Sequence, residues 1–134
     1  MTGRPQQPEG VLMPREMSLD APDLDLSALD LIITVEEPGR LVALDGRLSA
    51  RTVSEGRAAL VEAISIGTGD LVVDLSGLAL VDASGLGVLV GAHRLALRSD
   101  RRMLLRRVPE RIDRLLSLTH LNRVLCLEQA APAV

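Results

Sequence analysis

The spacing of apolar positions changes period several times along the chain. Residues 31–35 (LIITV) and 40–44 (RLVAL) are short runs of β-branched and aliphatic side chains, the composition of strands. Pro38 and Gly39 stand between them, the pair favoured at the centre of a type II turn, so the two runs are expected to form a hairpin. The period then lengthens. Val53, Gly56, Leu60, Ala63 and Ile64 fall on one face at helical spacing. Ser49 is the expected N-cap of that helix, and Gly67 and Gly69 its stop. Residues 70–75 (DLVVDL) form a strand continuous enough for burial on both faces. A short loop is expected to lead into a second helix over about 85–99, with Leu86, Leu89, Val90, His93, Ala96 and Leu97 on one stripe. Residues 102–106 (RMLLR) are the next strand. Pro109 suits the first turn of a third helix, with Ile112, Leu115, Leu116 and Thr119 inward, and residues 124–127 (VLCL) close the pattern as a short strand.

Strands alternating with helices predict an α/β fold of mixed α+β character. Its sheet has about five strands, mainly parallel, with an antiparallel hairpin at the start and three or more helices packed on it. Residues 1–29 do not join this pattern. They hold four of the seven prolines, two Gln and five acidic residues, and are expected to be a mobile tail. The folded domain then spans 30–129, followed by a short C-terminal tail at 130–134.

Composition narrows the function. The chain has no Phe, Tyr or Trp, which excludes modules that stack RNA bases on aromatics. Net charge is −3, so direct nucleic-acid binding is not favoured. All fifteen basic residues are Arg. The one basic cluster, Arg98, Arg101 and Arg102 followed by Arg106 and Arg107, is expected to be a solvated strand edge. Cys126 is the only cysteine, and His93 and His120 lack ligand spacing, so no disulfide, metal site or cofactor is expected. No apolar run approaches the roughly 18 residues of a membrane span, and no hydrophobic signal segment is seen at the N-terminus. A reducing cytoplasm, away from membranes, is the expected compartment.

The chemistry concentrates in residues 74–90 (DLSGLALVDASGLGVLV). The run DLSGL at 74–78 is echoed by DASGL at 82–86, the first copy ending a strand and the second opening a helix. Ser76 is expected to be poorly accessible at its strand end. Ser84, at a helix start, has an exposed hydroxyl near unpaired backbone N–H groups and the positive end of the dipole, which can accommodate a phosphate. Ser84 acting only as an N-cap remains an open alternative. Gly85 and Gly87 leave the surface around it low. The GxGxxxG of residues 85–91 lacks the acidic residue that a dinucleotide site needs about 20 positions on. His93, nine residues after Ser84 and in the buried stripe, is badly placed as a general base for it. No catalytic residue is expected.

The strand at 71–77 (LVVDLSG) followed by 81–89 (VDASGLGVL) resembles the STAS domain, and in particular the bacterial anti-anti-sigma factors. The likeness covers about 32–127. It implies the STAS fold and a regulatory binding protein, not an enzyme. It implies that Ser84 is phosphorylated by an anti-sigma factor that is itself a serine kinase. The unphosphorylated form would bind that kinase and free a sigma factor, and a PP2C-type serine phosphatase would reset the switch. Asp82, Ala83, Gly85, Leu86, Gly87, Val88 and Gly91 are then the expected partner-binding residues, with Gly87, Val88, Gly91 and Ala92 on the exposed side of the second helix. Ala83 stands where many relatives have a serine, leaving one acceptor. Arg47 and Ser49 stand in a stretch (GRLS) where relatives often have GELD. The alternatives are a STAS subunit of a stress-signalling complex or a lipid-transport assembly and, less favoured, a nucleotide-binding module.

Overall fold

The computed structural model describes residues 30–128; the expected tails at 1–29 and 130–134 lie outside the described residues. β1 (Leu31–Glu37) and β2 (Leu41–Leu48) form the antiparallel hairpin. Gly39 takes φ 76° at its turn, and the Arg40 N–H donates to the Glu37 carbonyl at 2.9 Å. That geometry is the type II turn predicted from Pro38-Gly39.

α1 (Val53–Ile66) leads to β3 (Asp70–Asp74), β4 (Leu78–Val81), α2 (Ala83–Arg98), β5 (Arg102–Arg106), α3 (Glu110–Leu118), a 3-10 turn (Leu121–Arg123) and β6 (Cys126–Leu127). The sheet has six strands in the order β1-β2-β3-β5-β6, with β4 paired to the far end of β2. All pairs but β1–β2 are parallel.

Alternate sheet residues Val42, Leu44, Leu71, Val73, Met103 and Leu105 join Leu60, Ile64, Leu89 and Leu116 of the helices in one buried cluster. An aliphatic core of this kind supplies its stability through many small contacts and the area removed from water. The opposite sheet face is not equally covered. Leu41, Val72 and Leu104, paired side by side, are half-buried, flanked by the ion pairs Asp70–Arg102 and Asp74–Arg106. The strand at 70–75 is therefore one-sided, not buried on both faces.

Other expectations are corrected. The loop predicted between residues 75 and 85 contains β4. The cap of α1 is Thr52, not Ser49; the Thr52 hydroxyl accepts from the Ser49 N–H at 3.0 Å and donates to the Arg47 carbonyl at 2.9 Å, closing the loop before the helix. Leu97 is exposed and Thr119 is the exposed C-cap of α3, not an inward residue. The last strand begins at Cys126, because Val124 and Leu125 belong to the turn that donates back to Leu121.

The basic cluster is solvated at Arg98, Arg102 and Arg107, but β5 is an inner strand and Arg101 is buried. Arg101 is 4% exposed. Its guanidinium donates to the carbonyls of Gly69 (2.9 Å), Ala63 (2.8 Å), Ile64 (2.9 Å), Gly39 and Thr68. One side chain thus satisfies carbonyls in the last turn of α1 and ties that turn to the hairpin.

Candidate functional site

The two copies of the sequence echo use their aspartates differently. In the first, Asp74 is buried at the end of β3. Its carboxylate accepts from the Ser76 N–H (2.8 Å), Arg106 Nε (2.8 Å) and Arg107 Nε (3.2 Å). Burial pushes its pKa up, but the Ser76 N–H and hydroxyl and the two guanidinium groups outweigh this and hold it below the usual value. Ser76 itself is exposed, contrary to expectation, because β3 ends before it and the chain turns outward there.

In the second copy, Asp82 is the N-cap of α2. Oδ1 accepts from the Gly85 N–H at 2.9 Å, and Oδ2 from the Ala50 N–H at 3.1 Å. These two N–H groups, Gly85 first, lower its pKa. Asp82 thus joins the α2 start to the loop before α1, and it fills the capping role that had been left open for Ser84. Ser84 is in the first turn, with its side chain exposed.

The expected partner-binding residues divide by burial. Ala83, Gly87 and Gly91 are exposed and Asp82 is half-buried. Gly85, Leu86 and Val88 are buried. A Cβ on Gly85 would come within 2.2 Å of the Leu48 carbonyl oxygen, so this glycine is required by backbone packing; it does not lower an open surface. Val88 and Ala92, expected on the exposed side of α2, are covered by α1 at 3% and 6% exposure. Helical phase had assigned Leu86, Leu89, His93 and Ala96 to the buried side correctly and Leu97 wrongly, but a helix covered by both sheet and neighbour buries a wider arc.

Between α1 and α2 runs a groove of about 210 Å³ lined by Arg57, Val61, Gly87, Val88, Gly91, Ala92, Leu95 and Arg98. Arg57 was not singled out by the sequence; one arginine among fifteen carries no local signal of facing Gly87. His93, as expected, is buried on α2, and its Nδ1 has no hydrogen-bond partner. Among the described residues, no helix is long and apolar enough to cross a membrane.

The family model described as "Mlab, STAS domain" matches residues 33–128. An anti-sigma-B factor antagonist of Staphylococcus epidermidis is 35% identical over 81 residues, covering 60% of this chain and 75% of the relative. One from Staphylococcus aureus is 30% identical over 94 residues, covering 70% and 87%. The phosphorylated form of the Bacillus cell fate determinant SpoIIAA shares the fold at a TM-score of 0.54 and 18% identity, covering 74% of this chain and 91% of that one. The match over nearly all of the described fold, together with the six-stranded mixed sheet and its serine at the start of α2, means that the chain belongs to the STAS domain family.

Proposed function

We propose that the chain is an anti-sigma factor antagonist. In this reading its unphosphorylated form binds an anti-sigma factor that is a serine kinase, a sigma factor is thereby freed, and phosphate on Ser84 ends the binding. A PP2C-type serine phosphatase returns the protein to its active form. The observation that carries the reading is Ser84 itself: it is exposed in the first turn of α2 while Asp82 makes the cap. A modification of the hydroxyl therefore costs the helix none of its capping. The names of the staphylococcal relatives support the antagonist role, and SpoIIAA, a neighbour in fold, exists in both phosphorylated and unphosphorylated forms.

Phosphoserine brings about −1.5 to −2 charges at pH 7. The Asp82 carboxylate, with its lowered pKa, is already ionised two residues away. The phosphate would stand at the mouth of a groove floored by Gly87, Val88, Gly91 and Ala92, a surface of small apolar groups that admits close contact. An unpaired charge buried against such a surface costs several kcal/mol, or about two to three decades in affinity.

The test uses wild type, Ser84→Ala, Ser84→Glu and enzymatically phosphorylated protein. Each is first used to capture partners from cell lysate, with identification by mass spectrometry, and then titrated calorimetrically against the kinase found. Ser84→Ala should bind as wild type does. Ser84→Glu should fold normally by circular dichroism yet bind at least about tenfold more weakly, and the phosphorylated protein more weakly still. Phosphopeptide mapping should find Ser84. Since Ser76 is also exposed, accessibility does not distinguish the two. The difference lies in placement: Ser84 is in the first turn of α2, three residues before the groove residue Gly87, whereas Ser76 follows the end of β3. Phosphate on Ser76, or undiminished binding by phosphorylated protein, refutes the switch.

A further inference from the structure

We propose that Arg57 is the cation that phosphate on Ser84 draws across the α1–α2 groove, so that the modified serine covers the groove as well as charging it. This rests on the reading of Ser84 as the phosphate acceptor. Helices α1 and α2 each connect parallel strands of one sheet, so they run in the same direction, and their starts are joined. The Asp82 N–H donates to the Leu48 carbonyl at 3.2 Å, and the Ala50 N–H donates to Asp82. Ser84 stands three, four and seven residues before Gly87, Val88 and Gly91, on the same face of α2. Those three residues line the groove together with Arg57 and Val61 of α1. Arg57 is the α1 residue nearer the shared start, so Ser84 lies about one helical turn, roughly 5 Å, beyond the position that Arg57 faces.

The other charged groups nearby leave this role to Arg57. Asp82 already takes the Gly85 N–H with its carboxylate and the Leu86 N–H with its carbonyl, so fewer first-turn donors of α2 remain for the phosphate than a helix N-terminus ordinarily offers. The guanidinium groups of Arg51 and Arg47 are turned to Asp30, at 3.6 and 3.9 Å. Arg98 lines the groove fourteen residues past Ser84, about 21 Å along the helix. Glu55, in the first turn of α1, adds only negative charge. Arg57 is exposed and has no ion pair with another described residue. A guanidinium fork suits a phosphate, which it can hold through two parallel N–H···O bonds. Drawn toward Ser84, it would lie over Gly87 and Val88, where a partner must approach most closely.

The test installs phosphoserine at position 84 during translation, so that no kinase is required, and follows the second ionisation of the phosphate by ³¹P NMR. A phosphoserine in water has its second pKa near 6. A facing guanidinium favours the dianion, and for an exposed pair the shift should be about half a unit downward. The phosphorylated wild type should show that shift. Phosphorylated Arg57→Gln should titrate about half a unit above phosphorylated wild type, since only the carboxylates of Asp82 and Glu55 then face the phosphate, and phosphorylated Arg98→Gln as the wild type does. Circular dichroism of each variant controls for folding, which an exposed Arg57 should not affect. Coincident titrations of wild type and Arg57→Gln overturn the inference, as does finding that Arg51→Gln is the variant that moves the phosphate. Either result leaves the antagonist reading intact. Failure of any cellular kinase to label Ser84 would sink that reading without altering these titrations.

Discussion

Replacing Arg101 with methionine keeps the apolar stem of the side chain and removes the guanidinium. Four carbonyl oxygens lose a donor at hydrogen-bonding distance, those of Ala63, Ile64, Gly69 and Gly39, and Thr68 loses a longer contact at 3.4 Å. A hydrogen bond to a charged group is worth about 1.5–3 kcal/mol, but four on one fork are not additive, and water will reach some of the carbonyls once the fork is gone. A buried carbonyl left without a donor costs about 1–3 kcal/mol, and with water reaching some of the four the total is about 3–4 kcal/mol. In a domain of about 100 residues each kcal/mol lowers the melting temperature by about 4 °C, so a fall of roughly 12–16 °C is expected. Urea unfolding should show a lower midpoint with an unchanged slope, the mark of lost stability without a changed denatured state. Arg101→Lys should recover less than half of the loss, because one ammonium cannot span carbonyls from the hairpin turn to the loop after α1. Amide exchange should accelerate first around residues 38–40 and 66–69. A methionine variant within about 1 kcal/mol of wild type would refute the view that this arginine holds the hairpin to the end of α1.

Asp74 has a folded pKa below its ordinary 3.8, so its ionisation stabilises the fold above that value, and the contribution is lost as the pH falls through the folded pKa. Stability measured from pH 5 down to 3 should therefore fall, and Asp74→Asn should be less stable at pH 7 with a shallower acid slope; an unchanged slope would show that another carboxylate governs it. Gly85→Ala should destabilise by more than about 2 kcal/mol, because its methyl would meet the Leu48 backbone at 2.2 Å. Gly87→Ala has nothing within 4 Å and should stabilise α2 by about 0.5–1 kcal/mol, while weakening partner binding by adding a methyl to the groove. Thermal melts and calorimetry on this pair separate packing from recognition: equal effects on stability would refute the assignment of Gly85 to packing.

Much of the fold was legible in local pattern. The Pro38-Gly39 turn, the stripe of α1, the two strand runs at 70–74 and 102–106 and the start of α3 after Pro109 each carry their own signal within a few residues, though the run at 70–75 wrongly predicts burial on both faces. The helix start near Ser84 was legible too, but its cap, Asp82, was not distinguished from Ser84. What stayed hidden depends on partners far away in sequence. β4 is only four residues, Leu78–Val81, with its two middle residues exposed, too short to show a period. It is a strand because β2, bulged between Gly46 and Arg47, offers it an edge. The widened burial of α2 at Val88 and Ala92 required α1 to lie beside it. Arg101 looked like one member of a basic run, yet its acceptors lie 32 to 62 positions away. A sequence reports the period of a segment and the chemistry of its ends, since both arise from neighbours along the chain. Which charge is buried, which glycine meets a backbone and which arginine lines the α1–α2 groove are settled only when distant segments pack, because those energies belong to contacts that local sequence does not contain.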